Sequence, residues 1–195
     1  MTIDPDISNE FLARLKSIFS AMDEAYERAA GGYGFVCTGC DDNCCMTRFY
    51  HHTHLEYAYL MEGMRAFGLV EQKTFQEKAL DVVERTRAAD QKGGAVRIMC
   101  PLNLDGLCSL YAHRPMICRL HGIPHELRPP GRSAERGPGC GAFLIRCGEM
   151  NYITFDRTPF YMEMARLEKE FKQRLNKTRK FKKTIAEMLV ENIKE

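Results

Sequence analysis

Four thiols fall within one short stretch of this chain, Cys37-Thr-Gly-Cys40-Asp-Asp-Asn-Cys44-Cys45. A second set follows at Cys100, Cys108 and Cys118, with Cys140 and Cys147 beyond. Thiols crowd together for disulfide formation, for dithiol redox exchange or for holding a metal. Disulfides fit poorly, because nine cysteines cannot all pair within one chain. The N-terminus, Met-Thr-Ile-Asp-Pro-Asp, lacks a basic-then-apolar leader, and no run of about 18 apolar residues exists. A cytoplasmic location is therefore expected, where stable disulfides are rare. A thioredoxin-like dithiol at Cys37 and Cys40 lacks the apolar helix and βαβ pattern that such a motif requires. Metal ligation is the reading left.

Thiolates are soft, strongly donating ligands suited to zinc, Cu(I) and iron–sulfur clusters. Cys37-x-x-Cys40 lets one loop present two sulfurs to one centre. Cys44 and Cys45 are adjacent, so their side chains diverge and seldom share one tetrahedral ion. Zinc sites commonly show two Cys-x-x-Cys pairs about 15–20 residues apart, whereas here there is one such pair. An iron–sulfur layout takes three nearby cysteines and a remote fourth, often followed by proline. Cys37, Cys40, and Cys44 or Cys45, with Cys100-Pro101, echo that layout. The expected cofactor is an iron–sulfur cluster, with [4Fe–4S] favoured, or zinc. The candidate ligands are Cys37, Cys40, Cys44, Cys45, Cys100, Cys108, Cys118 and Cys140. The surplus of thiols leaves room for a second site.

The run Cys100-Pro-Leu-Asn-Leu-Asp-Gly-Leu-Cys108-Ser-Leu-Tyr111-Ala-His-Arg114-Pro-Met-Ile-Cys118-Arg119, taken with the first cluster, resembles the YkgJ-like cysteine-cluster family. Its pattern reads CPxL, a short turn, then CxxYxxRPxxCR, and the resemblance spans Cys37 to Arg119. The resemblance implies a candidate zinc- or iron-chelating domain carrying a CxxCxxCC motif. Two departures stand out. Three residues separate Cys40 from Cys44 where the family has two, and His121 stands where the family often has an aromatic. The family includes flagellin lysine methylases, which resemble this chain in the cysteine region alone. The resemblance thus implies a metal centre more than a reaction.

Arg114, Arg119 and Tyr111 are the candidate residues around a bound cofactor. An arginine there would offset thiolate charge, bind an anion, or tie a proline turn through backbone carbonyls, and the last role is favoured. Tyr111 is expected to pack against the site. With so many thiols at hand, His51, His52, His54, His113, His121 and His125 read chiefly as polar surface or as supports for the ligands. His51 and His121 are the preferred exceptions. Lys172, Arg174, Lys177, Arg179, Lys180, Lys182 and Lys183 form a basic run, with Glu163, Glu168, Glu170 and Glu187 close by. A solvated helical face is its commoner meaning than a nucleic-acid contact. No nucleotide-binding loop, nucleophile elbow or His-Glu-x-x-His helix is present, so no catalytic residues are assigned.

The elements that must position these residues are mostly helical. Phe11, Leu15, Ile18, Phe19, Met22 and Tyr26 predict a helix over about 9–30, with Ser8 as cap and Gly31-Gly32 as stop. Thr53 and Glu56 form a capping box for a second helix, ending near Phe67 with Gly68 beyond. Thr74 and Glu77 repeat the box for a third, ending near Gln91 before Gly93-Gly94. Ala95 to Met99 reads as a strand or an extended lead-in to Cys100. Six prolines between Pro101 and Pro138 exclude long helices there, and Arg128 to Gly139 reads as an exposed loop. Helix returns at Thr158-Pro159, as one long helix or two hinged near Asn176-Lys177-Thr178.

The expected fold is mainly α, with helices packed around an irregular, loop-built cysteine core. Residues 1–156 are expected to form the metal-binding domain and 157–195 a helical extension packed on it. The leading function is a metal-binding protein whose cluster or zinc serves redox, metal handling or structure. The alternatives are a metal-dependent, methylase-like protein-modifying enzyme and a zinc-stapled module that binds a protein or nucleic acid. The expected partners are the metal itself and a protein on the C-terminal helices. Nucleic acid and membrane are not expected.

Overall fold

The computed structural model describes residues 5–37, 44–94 and 97–191. The fold is mainly α. Its helices are α1 (Pro5–Gly32), α2 (His54–Met64), α3 (Leu69–Gln91), α4 (Met116–Leu120), α5 (Gly141–Cys147), α6 (Thr158–Arg174) and α7 (Ile185–Glu191). Two short antiparallel hairpins pair β1 (Asn103–Leu104) with β2 (Leu107–Cys108), and β3 (His125–Leu127) with β4 (Glu135–Gly137). The chain divides into two compact units. One takes Cys45–Pro115 and Thr178–Glu195, and the other Ile3–Cys44 and Met116–Lys177. They are called here the α3 unit and the α1 unit.

In the α1 unit, the long first helix buries Phe11, Leu15, Phe19 and Met22 on one face, as their spacing requires. It starts at Pro5, ahead of Ser8, because proline's fixed φ suits a first helical turn. It stops at Gly32, as the Gly31-Gly32 pair predicts. Gly34 takes the left-handed conformation (φ +61°), and Phe35 N–H bonds the Ala30 carbonyl at 2.9 Å. The Phe11 ring meets Phe171 of α6 edge-on at 5.2 Å, and Arg14 pairs with Glu170 at 2.6 Å. Tyr33 and Phe35 both meet the Phe143 ring of α5 edge-on. Each fully buried aromatic of this kind contributes roughly 1.5–3 kcal/mol.

In the α3 unit, Thr53 caps α2 as expected, its hydroxyl oxygen accepting the Glu56 N–H at 3.0 Å. The expected end at Phe67 and the start at Thr74 both shift. Helix α2 closes at Met64, and Gly68 begins the next helix instead of finishing this one. Glu71 reaches back to the Gly68 N–H at 3.0 Å, and Gln72 donates to the Phe67 carbonyl at 2.8 Å. Thr74 lies inside α3 and bonds back to the Val70 carbonyl. Gly93 (φ +68°) ends that helix, as its sequence announces. The core joins Leu60, Phe75, Ala79 and Val83 to Leu102, Leu110, Met188 and Leu189, with Cys100 and Cys108 packed against it.

The proline-rich middle holds no long helix, as expected. Arg97 to Met99 form no strand, and Ala95 and Val96 lie outside the described residues. Arg128 to Gly139 is not a loop throughout, since Glu135–Gly137 pairs with β3 in the register Glu126↔Arg136. Helices α6 and α7 run in series, with Asn176 in the left-handed region (φ +50°) at the break.

Candidate metal centre

None of the eight described cysteines forms a disulfide, and Cys40 lies outside the described residues. The α3 unit brings together three thiols from distant positions. Cys45 sits in a short 3₁₀ turn, Cys44–Met46. The backbone N–H of Cys100 donates to the Cys45 carbonyl at 2.8 Å. Cys108 ends β2 opposite Asn103 in the hairpin that follows Cys100.

That hairpin is built by local chemistry. Asp105 (φ +49°) and Gly106 (φ +86°) form a two-residue turn with both φ values positive, which matches the twist of the paired strands. The Asn103 side-chain oxygen accepts the Gly106 N–H at 3.1 Å, and Ser109 N–H bonds the Leu102 carbonyl at 2.9 Å. An Asp-Gly pair is a strong hairpin signal, and the sequence reading passed over it. Beyond it, the 3₁₀ turn Tyr111–His113 lies against α2, with the Tyr59 hydroxyl bonding the Ala112 carbonyl at 3.0 Å.

Each hairpin sulfur has a backbone donor two residues on. The Leu102 N–H bonds the Cys100 sulfur, and the Leu110 N–H bonds that of Cys108. Such donors favour the thiolate, the form that binds metal. Burial works against them. It pushes the Cys100 thiol up to about 12, helped by the neighbouring charges of Cys45 and Cys108. Burial also raises Cys108, with Cys45 adding to the rise and the Arg114 guanidinium opposing it. A bound cation would reverse this balance and release the thiol protons.

Arg114 stacks over the Tyr111 ring at 3.5 Å, and its Nε donates to the Tyr111 carbonyl at 3.0 Å. It therefore braces this turn while its charge reaches Cys108. Tyr111 itself is largely exposed. Arg48, just after the cysteine turn, pairs with Asp90 of α3 at 2.7 Å. His51 is buried, with Nδ1 at 3.9 Å from Glu56, and its backbone bridges to Lys183.

The other described thiols lie in the α1 unit. Cys37 is exposed, whereas Cys44, Cys118 on α4 and Cys140 at the start of α5 are half-buried. Cys140 N–H bonds the Gly122 carbonyl at 2.8 Å. Cys147 is buried, and its sulfur lies 3.6 Å from the Tyr33 carbonyl. Arg119 is buried, paired with Asp23 and stacked over Phe19 at 4.4 Å. His121 is half-buried, and burial lowers its pKa, as does the nearby Arg157 charge.

Among the described residues, no three Cys, His, Asp or Glu side chains are grouped so that they could hold a metal ion. The donor set fits a soft metal in kind: three thiols, two with backbone donors on sulfur, and no carboxylate among them.

Residues 36–130 match the model of the CxxCxxCC family, whose description reads "Putative zinc- or iron-chelating domain". The matched CxxCxxCC segment runs from Val36 past Arg119, and so takes in every candidate ligand but Cys140. No curated protein and no solved structure matches the chain. Among the described residues, no helix is long and apolar enough to cross a membrane.

Proposed function

We propose that this chain is a metal-binding protein that holds an iron–sulfur cluster through cysteine thiolates, with Cys45, Cys100 and Cys108 as its core ligands. The observation that carries this reading is the meeting of these three thiols in one unit, inside the segment matched to a chelating family. Their arrangement favours a cluster over a lone zinc ion. Cys45 lies near enough to raise the pKa of both Cys100 and Cys108, yet the three are not grouped to share one ion. A cluster bonds each thiolate to a different iron and so accepts sulfurs that stand further apart. Cys37, Cys44, Cys118 and Cys140 supply further thiol donors in the α1 unit. When bound, the cluster would supply one-electron redox chemistry or hold the hairpin in place.

The chain's own residues have definite parts. Leu102 and Leu110 N–H groups stabilise the ligand sulfurs as thiolates, and Arg114 offsets negative charge beside Cys108. Anaerobic purification with metal analysis and an absorption spectrum tests the proposal. The expected product is brown, with broad absorption near ~400 nm and iron matched by acid-labile sulfide. Colourless protein with stoichiometric zinc would replace the cluster by zinc. Protein that takes up neither metal would overturn the reading.

A further inference from the structure

Two arginines of the α1 unit are deeply buried, and they are treated differently. Arg119 is 6% exposed and has a carboxylate partner in Asp23. Arg157 is 4% exposed and has none among the described residues. Its Nη2 donates to the Leu120 carbonyl, its Nε makes no hydrogen bond, and its guanidinium lies 5.5 Å from the Phe155 ring centre.

Glu126, whose carbonyl accepts the Arg157 N–H, and Asp156, its neighbour in the chain, are both committed elsewhere. Glu126 takes Arg128 at 3.0 Å and Arg136 at 3.1 Å. Asp156 accepts the Thr158 N–H at 2.9 Å and faces Arg128 at 3.7 Å. The groups whose charge states act on Arg157 are Tyr26, Tyr152 and Tyr161. Two imidazoles, His121 and His125, stand near enough to feel its charge, and the His125 ring already donates to the Ile123 carbonyl. The Tyr26 hydroxyl closes over Gly122 (φ +127°), where a Cβ would come within 2.5 Å of it.

A buried cation without a counter-ion is costly, and it persists where something else supplies the negative charge. We infer that Arg157, with His121 and His125 beside it, forms a binding site for a small carboxylate. One negative charge balances one guanidinium. Arg128 and Arg136 are held by Glu126, so a phosphate dianion would carry charge that nothing here offsets. Burial lowers the pKa of Arg157 to about 10 and that of His125 to about 4. Both directions record a place where positive charge lacks support, and a bound anion would supply it.

Thermal unfolding of the full chain, metal-loaded as purified, tests this in sodium acetate against sodium chloride of equal ionic strength. Acetate should raise the wild-type Tm by about 2–4 °C, the scale expected of one weakly held ligand. The rise should vanish in Arg157→Met at equal metal content. An acetate titration followed at the His121 and His125 imidazole resonances of the wild-type chain gives a second readout, should that variant fail to fold. Saturable shifts there support the site. Unchanged imidazole resonances would overturn it, as would an acetate effect equal in both proteins, or stabilisation by phosphate but not by acetate.

Discussion

The Cys100 backbone N–H donates to the Cys45 carbonyl at 2.8 Å, and this one bond sets the last thiol of the first cysteine cluster beside the first thiol of the second. A backbone bond fixes chain position without using either sulfur.

Removing a ligand should cost more than removing a bystander. Cys45→Ala, Cys100→Ala and Cys108→Ala should each lower metal content or affinity by about tenfold or more, at least the loss seen for groups that only support ligands. Cys147→Ser should keep its metal, because that buried side chain lies against the Tyr33 carbonyl. Elemental analysis of the four purified variants checks this, and a loss in Cys147→Ser equal to the others would contradict it.

The turn that carries Cys108 should be sensitive at Gly106. Its φ of +86° is one that an L side chain adopts only under strain. Gly106→Val should cost about 1–2 kcal/mol and weaken metal retention together with stability. Denaturant unfolding with parallel metal analysis reads both quantities. Asp105→Gly should keep the turn.

Helix α2 and the Tyr111–His113 turn should separate when Gly63 gains a methyl. A Cβ at that position would lie 2.5 Å from the His113 ring, closer than any real contact. Gly63→Ala should therefore destabilise the α3 unit by about 1–3 kcal/mol, the usual cost of overpacking. Adding His113→Ala should recover part of the loss. A double-mutant cycle by thermal unfolding measures the coupling.

Acid should unfold the protein partly through His125. Burial, and then the Arg157 charge, hold its pKa at about 4, below the unfolded value of 6.5. Above pH 6.5 neither state carries the proton, and stability is unaffected. Between 6.5 and about 4 the unfolded chain takes up a proton that the folded chain refuses, so stability falls as pH falls. His125→Phe should flatten this part of the stability–pH curve. An unchanged slope would assign the acid limb to other groups.

Helix existence was plain in the sequence, and helix ends were less so. The stripe from Phe11 to Met22 is buried as its spacing demands. Thr53 caps α2 because its hydroxyl competes for a local N–H whatever the surroundings. Thr74-x-x-Glu77 reads as the start of α3, yet the helix begins after Gly68, where Glu71 reaches back to the Gly68 N–H. The Gln72 side chain, bonded to the Phe67 carbonyl, belongs to the choice that the fold made. The Asp105-Gly106 turn was legible from residue types and was overlooked. That Arg157 has no carboxylate partner among the described residues was not legible, because nothing in a sequence marks which arginine lacks an acid.

By itself the sequence determined the donor chemistry of this protein. Softness and charge belong to the thiol wherever it sits, and residues 36–130 match the CxxCxxCC family model. Only the tertiary structure decided which thiols share a neighbourhood. Cys45, Cys100 and Cys108 meet in one unit, while Cys118 and Cys140 belong to the other. It also decided that Arg119 found Asp23 while no carboxylate among the described residues pairs with Arg157. Both outcomes depend on contacts between residues far apart in the chain, which burial and packing select and local residue type does not encode.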